Sequence, residues 1–231
     1  MAKKSVTTRT GRFMKLAGMT ASVAGRYATE KVKNSFSSEE EKEQRRSKTY
    51  DKMANDIVST LGELKGAVMK VGQIASQTQD FLPKEFSSAL QRLQKEAPPM
   101  DFSLIRQQII DELGADPEVI FDRFDQKPYA AASIGQVHRA KTKDGREVIV
   151  KVQYPGVDKS CDSDLKQLRM TLKLGGLLKI PKESVDQLFQ EILERLHEEL
   201  DYQNEANNIK RFQQFHKDDE GLIIPTVIDQ L

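Results

Sequence analysis

Apolar positions recur at helical spacing along most of this chain and alternate at strand spacing in one short region. In residues 12–32, Phe13, Leu16, Thr20, Val23 and Tyr27 form one helical stripe. Ala17, Ala21 and Gly25 form a second stripe of small residues, predicted to admit another helix closely. A polar linker over 35–47 leads into a helix expected from about 42 to 77, with Ser38 as a cap and Glu41 three residues on. Met53, Ile57, Leu61, Leu64, Val68, Val71 and Ile74 supply its apolar face. Shorter helices are predicted over 84–95, ended by Pro98-Pro99, and over 102–113, capped by Asp101 and stopped by Gly114. A helix over 162–178 and one long helix over 183–215 follow, the latter carrying Leu188, Ile192, Leu196, Leu200, Ile209 and Phe212.

The strand-like region is 129–156, YAAASIGQVHRAKTKDGREVIVKVQYPG. It predicts a β-hairpin of 137–141 and 147–153, with Lys143-Asp144-Gly145 as a turn in which glycine takes the positive φ. Residues 222–228, LIIPTVI, are expected to form a short β pair interrupted by Pro225. The fold class that follows is α+β, a set of helices laid on a small sheet.

Composition narrows the picture. The chain has 231 residues, enough for one or two domains. A net charge of +1 argues against a nucleic-acid partner. Cys161 is the sole cysteine, so no intrachain disulfide forms. The charge is uneven. Up to Asn34 there are eight basic residues against Glu30 alone, which leaves the remainder acidic. A basic amphipathic helix over 12–33 fits an anionic membrane surface, a helix packed on its own protein, or a weak targeting peptide.

The candidate chemistry sits in the hairpin. Ala130, Ala131, Ala132, Ser133, Ile134 and Gly135 make a loop of small residues whose backbone N–H groups are expected to lie uncovered and able to face an anion. Lys151 on the second strand would add a positive charge beside them. A glutamate on a later helix is what such a lysine needs to point at phosphates. The acidic run Glu198-Glu199-Leu200-Asp201-Tyr202-Gln203-Asn204-Glu205 offers one, although a run of this kind is usually a solvated face. Glu199 and Asp201 are two apart, about 200° on a continuous helix, and reach one partner only if the helix bends. His138, His197 and His216 have no neighbour at metal-ligand spacing, so no metal site is expected.

The wording AAASIGQVH followed by VKVQYPGV resembles the UbiB/AarF (ADCK) family of atypical protein-kinase-like proteins. The resemblance implies a helical cap of K-x-G-Q type on a protein-kinase-like small lobe, with the large lobe absent from this chain. The parts would be a basic segment at 1–34, the cap at 35–125, and the small lobe at 126–231 with a helical insert at 157–180. Gly135 matches the third glycine of the kinase loop, while Ala130 and Ala132 stand for the first two. Val137 also belongs to the nucleotide set, and Ile149 stands where kinases have a small residue beside adenine. Lys151 would pair phosphates, with Glu205 as its partner. Lys70 and Gln73 of K-x-G-Q, with Glu199 and Asp201 of E-x-D, would lock the cap to the lobe.

The expected ligand is ATP or ADP, with Mg²⁺ only if the large lobe is supplied. No catalytic loop or metal-binding D-F-G occurs, so no catalytic residue is assigned. The function implied is the nucleotide-binding part of an atypical kinase-like ATPase tied to ubiquinone biosynthesis, with proteins of that process as partners. Its expected place is the cytoplasm, peripheral to the inner membrane. The alternative is a non-catalytic scaffold that binds membrane, lipid or a partner.

Overall fold

The computed structural model describes residues 9–34, 38–64, 88, 99–174 and 181–231. The helix expected over 84–95, residue 88 apart, and the K-x-G-Q residues Lys70 and Gln73 lie outside them.

Two helices open the described chain, α1 (Arg9–Asn34) and α2 (Glu39–Leu64). Next come α3 (Phe102–Leu113), the single turn α4 (Pro117–Ile120) and the strands β1 (Phe121–Phe124), β2 (Ala130–Ala131), β3 (Gly135–Thr142) and β4 (Glu147–Gln153). The helices α5 (Val157–Leu174), α6 (Lys182–Leu200) and α7 (Tyr202–Phe215) follow. The caps expected at Asp101 and Gly114 form. The Asp101 carboxylate accepts the Ser103 N–H at 2.9 Å, and Gly114 ends α3 at φ 75°.

The sheet is antiparallel and centred on β3, which pairs with β1 and β2 along one edge and β4 along the other. The β3–β4 turn carries Gly145 at φ 91°, where a side chain would be strained. Inward residues of β4 pack on α3 around Ile105, Ile109 and Val152. Within this layer His138 is fully buried and belongs to a hydrogen-bond chain. The Met100 N–H donates to Gln136 Oε1 at 3.0 Å. Gln136 Nε2 lies 3.0 Å from His138 Nε2, and His138 Nδ1 lies 2.7 Å from the Asp125 carbonyl. One assignment satisfies every group, with the proton on Nδ1 and a neutral ring.

A second, larger core joins α1, α2, α5 and α6. Leu16 and Val23 of α1 are fully buried there, beside Met53, Ile57, Leu61 and Leu64 of α2. The face α1 presents is Arg12, Leu16, Met19, Thr20 and Val23, not the small-residue stripe. Ala21 and Gly25 are exposed, and a Cβ built on Gly25 would meet nothing within 4 Å. Arg12, one of the eight basic residues of this segment, is buried. Its Nε donates to Asp164 Oδ2 of α5 at 3.0 Å, and a second guanidinium nitrogen donates to the Leu64 carbonyl at the end of α2. Lys15 pairs with Glu63, and Arg26 with Asp56 at 2.9 Å. The basic segment thus spends part of its charge on its own protein.

Three other expectations are corrected. The helix over 183–215 is two helices, broken at Asp201. Residues 222–228 form no strand; Pro225 has no N–H to give a ladder, and its carbonyl instead accepts Gln213 Nε2 of α7 at 3.0 Å. The sheet begins before residue 126, because β1 is part of it.

Two outcomes are expected. Asp164→Ala strands a buried guanidinium and should cost about 3–5 kcal/mol in urea unfolding. Burial lowers the His138 pKa below its ordinary value of 6.5, against a weaker raising effect of Asp125. The unfolded chain then binds more protons than the native one near and below pH 6.5, so stability is full above that value and falls as the pH drops. Urea midpoints at pH 7.5 and pH 5 should show this loss, and His138→Gln should flatten it.

Candidate functional site

The site grows from the register of three strands. Ala130 lies opposite Val137, and Val137 lies opposite Lys151. Cross-strand partners share a sheet face, so these three residues form one row. Ile149, two residues before Lys151, lies on the same face and is exposed. Arg139, opposite Ile149, lays its guanidinium over the Tyr129 ring, 4.2 Å from the centroid.

Lys151 reaches from this face to α7. Its Nζ lies 3.7 Å from Glu205 Oε2 and 4.6 Å from the centroid of the Tyr202 ring. Both members of the ion pair are part-exposed, so the pair adds little stability, on the order of 0–1 kcal/mol. Its effect is to aim the lysine. Burial, followed by the nearby Glu199 and Glu205, pushes the Tyr202 phenol far above its ordinary range, so the ring stays neutral.

The alanine loop is tighter than expected. The Ala132 N–H donates to the Gly135 carbonyl at 2.9 Å, which closes a two-residue hairpin with Ser133 and Ile134 at its tip. That N–H is therefore turned inward and is not open to an anion. Both tip residues are anchored. The Ile134 side chain is fully buried in the helical core, and its carbonyl accepts the Tyr154 N–H at 2.9 Å. Ser133 Oγ donates to Glu199 Oε1 at 2.7 Å. Gly135 has no positive φ; it is required because a Cβ there would lie 2.3 Å from the Val152 carbonyl oxygen.

The E-x-D residues diverge at the break. Glu199 stands in the last turn of α6 and holds the loop, whereas Asp201 accepts the Asn204 N–H at 2.9 Å and caps α7. Gln153 Nε2 of β4 donates to the Leu200 carbonyl at 2.6 Å and so binds the break to the sheet. Whether Lys70 meets either carboxylate lies outside the described residues. Gln153 and Tyr202 were missed in the sequence. Strand alternation placed Gln153 on the Lys151 face, and Tyr202 stands one helical turn before Glu205. The fold also brings Cys161, Asp162 and His197 together, which spacing along the chain did not anticipate.

A family model for the ABC1 atypical kinase-like domain matches residues 92–231. The chain belongs to this family. Its curated relatives include the mitochondrial atypical kinase coq-8 of Caenorhabditis elegans, 40% identical over 77% of this chain and 24% of that protein. The mitochondrial atypical kinase COQ8 of Saccharomyces cerevisiae is 38% identical over 78% of this chain and 36% of that protein. A chloroplastic relative, ACTIVITY OF BC1 COMPLEX KINASE 8 of Arabidopsis thaliana, is 38% identical over 81% and 25%. A solved structure, Rv3197 of Mycobacterium tuberculosis in complex with erythromycin, is 38% identical over 81% of this chain and 48% of that one, with a TM-score of 0.46. The chain spans about a quarter to just over a third of the length of these curated relatives. The small antiparallel sheet with its flanking helices is the atypical kinase-like fold. No described helix is long and apolar enough to cross a membrane.

Gly135→Ala should force β3 away from β4 and cost roughly 1–3 kcal/mol. Thermal unfolding checks this, with exposed Gly114→Ser, judged on its own φ strain, as a comparison outside the sheet.

Proposed function

We infer that this chain is the nucleotide-binding part of an atypical kinase-like ATPase. The single supporting observation is Lys151 held 3.7 Å from Glu205 on an exposed sheet face, in one row with Val137 and Ala130. An ammonium aimed by a glutamate beside a sheet floor suits the phosphates of ATP or ADP. Of the other loop residues expected to meet this ligand, Ala131 is exposed beside the row, whereas the Ala132 N–H, the Ser133 hydroxyl and the Ile134 side chain are taken up by contacts within the protein and Gly135 is buried. Mg²⁺ would bind with the nucleotide only if a large lobe supplied its carboxylates. A role in ubiquinone biosynthesis, at a membrane surface, rests on the likeness to the UbiB/AarF family.

The scaffold reading draws on one observation. A groove of about 760 Å³ between α1 and α2 is lined by Arg26, Arg45, Lys48 and Lys52, with Glu30 the acid among its lining residues. Anionic headgroups suit such a lining.

Titration with fluorescent ATP and ADP analogues tests the first reading, with flotation on anionic vesicles in parallel. Saturable nucleotide binding should weaken about tenfold or more in Lys151→Ala, as expected for loss of a charged contact. Binding equal in Lys151→Ala and the parent chain overturns the nucleotide site. Flotation with no nucleotide response selects the scaffold.

A further inference from the structure

At the edge of the helical core lies a cluster that the kinase-like site does not use. Cys161 and Asp162 stand near the start of α5, and His197 stands near the end of α6. His197 Nε2 lies 3.0 Å from Asp162 Oδ1, and Cys161 Sγ lies 3.3 Å from the same oxygen. The sulfur, the carboxylate oxygen and the ring nitrogen all lie within 4.8 Å of one another. Zinc–sulfur, zinc–nitrogen and zinc–oxygen bonds at tetrahedral angles place ligand atoms about 3.4–3.6 Å apart. Two of the three separations are already near these values, and the third, between sulfur and nitrogen, is no more than 4.8 Å, so small side-chain shifts would complete one face of a tetrahedron. It unites a thiol, an imidazole and a carboxylate, a set that suits a borderline-soft divalent cation and not Mg²⁺ or Ca²⁺.

We propose that Cys161, Asp162 and His197 bind one divalent transition-metal ion of the zinc class, with the fourth position left to water. On binding, the metal–sulfur bond forms as the thiol proton leaves to solvent, and no electron changes hands. Asp162 exchanges its contacts with the thiol and the imidazole for the metal. The side chains of Asp162 and His197 are more than half exposed, so an ion can enter from their side while the sulfur lies beneath. A nucleophilic cysteine is the competing reading of the same three residues, and it fits less well. The carboxylate stands in contact with both the thiol and the imidazole, and the thiol donates to that carboxylate from a buried position. The ion would tie α5 to α6 one turn ahead of the break at Asp201, whose N–H is bonded to the His197 carbonyl.

Cobalt(II) reports a thiolate ligand directly. The chelator-stripped 231-residue chain should take up one equivalent, with a sulfur-to-cobalt charge-transfer band in the near ultraviolet and the intense visible bands of four-coordination. Zinc should displace it. Cys161→Ser should abolish the charge-transfer band. Cys161 is buried and its variant could fold poorly, so His197→Gln, altered at an exposed side chain, is the second test. It should weaken cobalt binding at least about tenfold while circular dichroism stays unchanged. No charge-transfer band in the parent chain, a band that survives Cys161→Ser, or undiminished affinity in His197→Gln would each overturn the site.

Discussion

On an unbroken helix, Glu199 and Glu205 would belong to one rigid rod, with Asp201 about 200° from Glu199 and on the face of Glu205. The chain avoids this by stopping at Asp201, which has φ −83° and ψ 82°, and starting again. Asp201 serves both ends. Its N–H bonds back to the His197 and Glu198 carbonyls, and its carboxylate accepts from Asn204. Gln153 satisfies the Leu200 carbonyl that the break leaves free. Because the rod is cut there, one acid can hold the alanine loop through Ser133 while another holds Lys151. The exposed sheet face thus depends on this joint as well as on strand register.

The joint is placed by a core that begins far away in sequence. The helices α1, α2, α5 and α6 share one apolar cluster, and Ile134 of the loop enters it. Arg12 crosses between three of these helices, bonding the Asp164 carboxylate and the Leu64 carbonyl. A buried charge of this kind is poor as a source of stability but specific about position, because a shifted helix would leave it unpaired. The Thr20 and Thr171 hydroxyls, 2.6 Å apart, fix the register of α1 on α5 one level further along.

Much of this was legible in the sequence, and the gaps have physical causes. The hairpin, its glycine turn and the caps at Asp101 and Gly114 are local, and residue chemistry within a few positions decides them. The pairing of Lys151 with Glu205 was readable only through family likeness, since 54 residues separate the two. Helical periodicity ran through Asp201 because the apolar stripe continues on both sides; the break is made by hydrogen bonds to a strand that periodicity does not see. The small-residue stripe of α1 misled for a related reason. Small residues permit close approach but do not compel it, and here the larger residues on another face bury more area. Arg12 looked like part of a basic patch because charge counts carry no direction. Residues 222–228 had the composition of strands, yet Pro225 withheld a donor and α7 took the carbonyl.

Ile134 has a kinetic meaning. Many nucleotide sites are covered by a glycine-rich flap that rises and falls freely as ligand comes and goes. Here the tip of the corresponding loop is stoppered into the hydrophobic interior. Lifting it requires withdrawing an isoleucine from its socket, at roughly 1.5–3 kcal/mol for full exposure. Only about one molecule in ten to one in two hundred would stand open at any instant, and each opening would loosen the helices that grip the stopper.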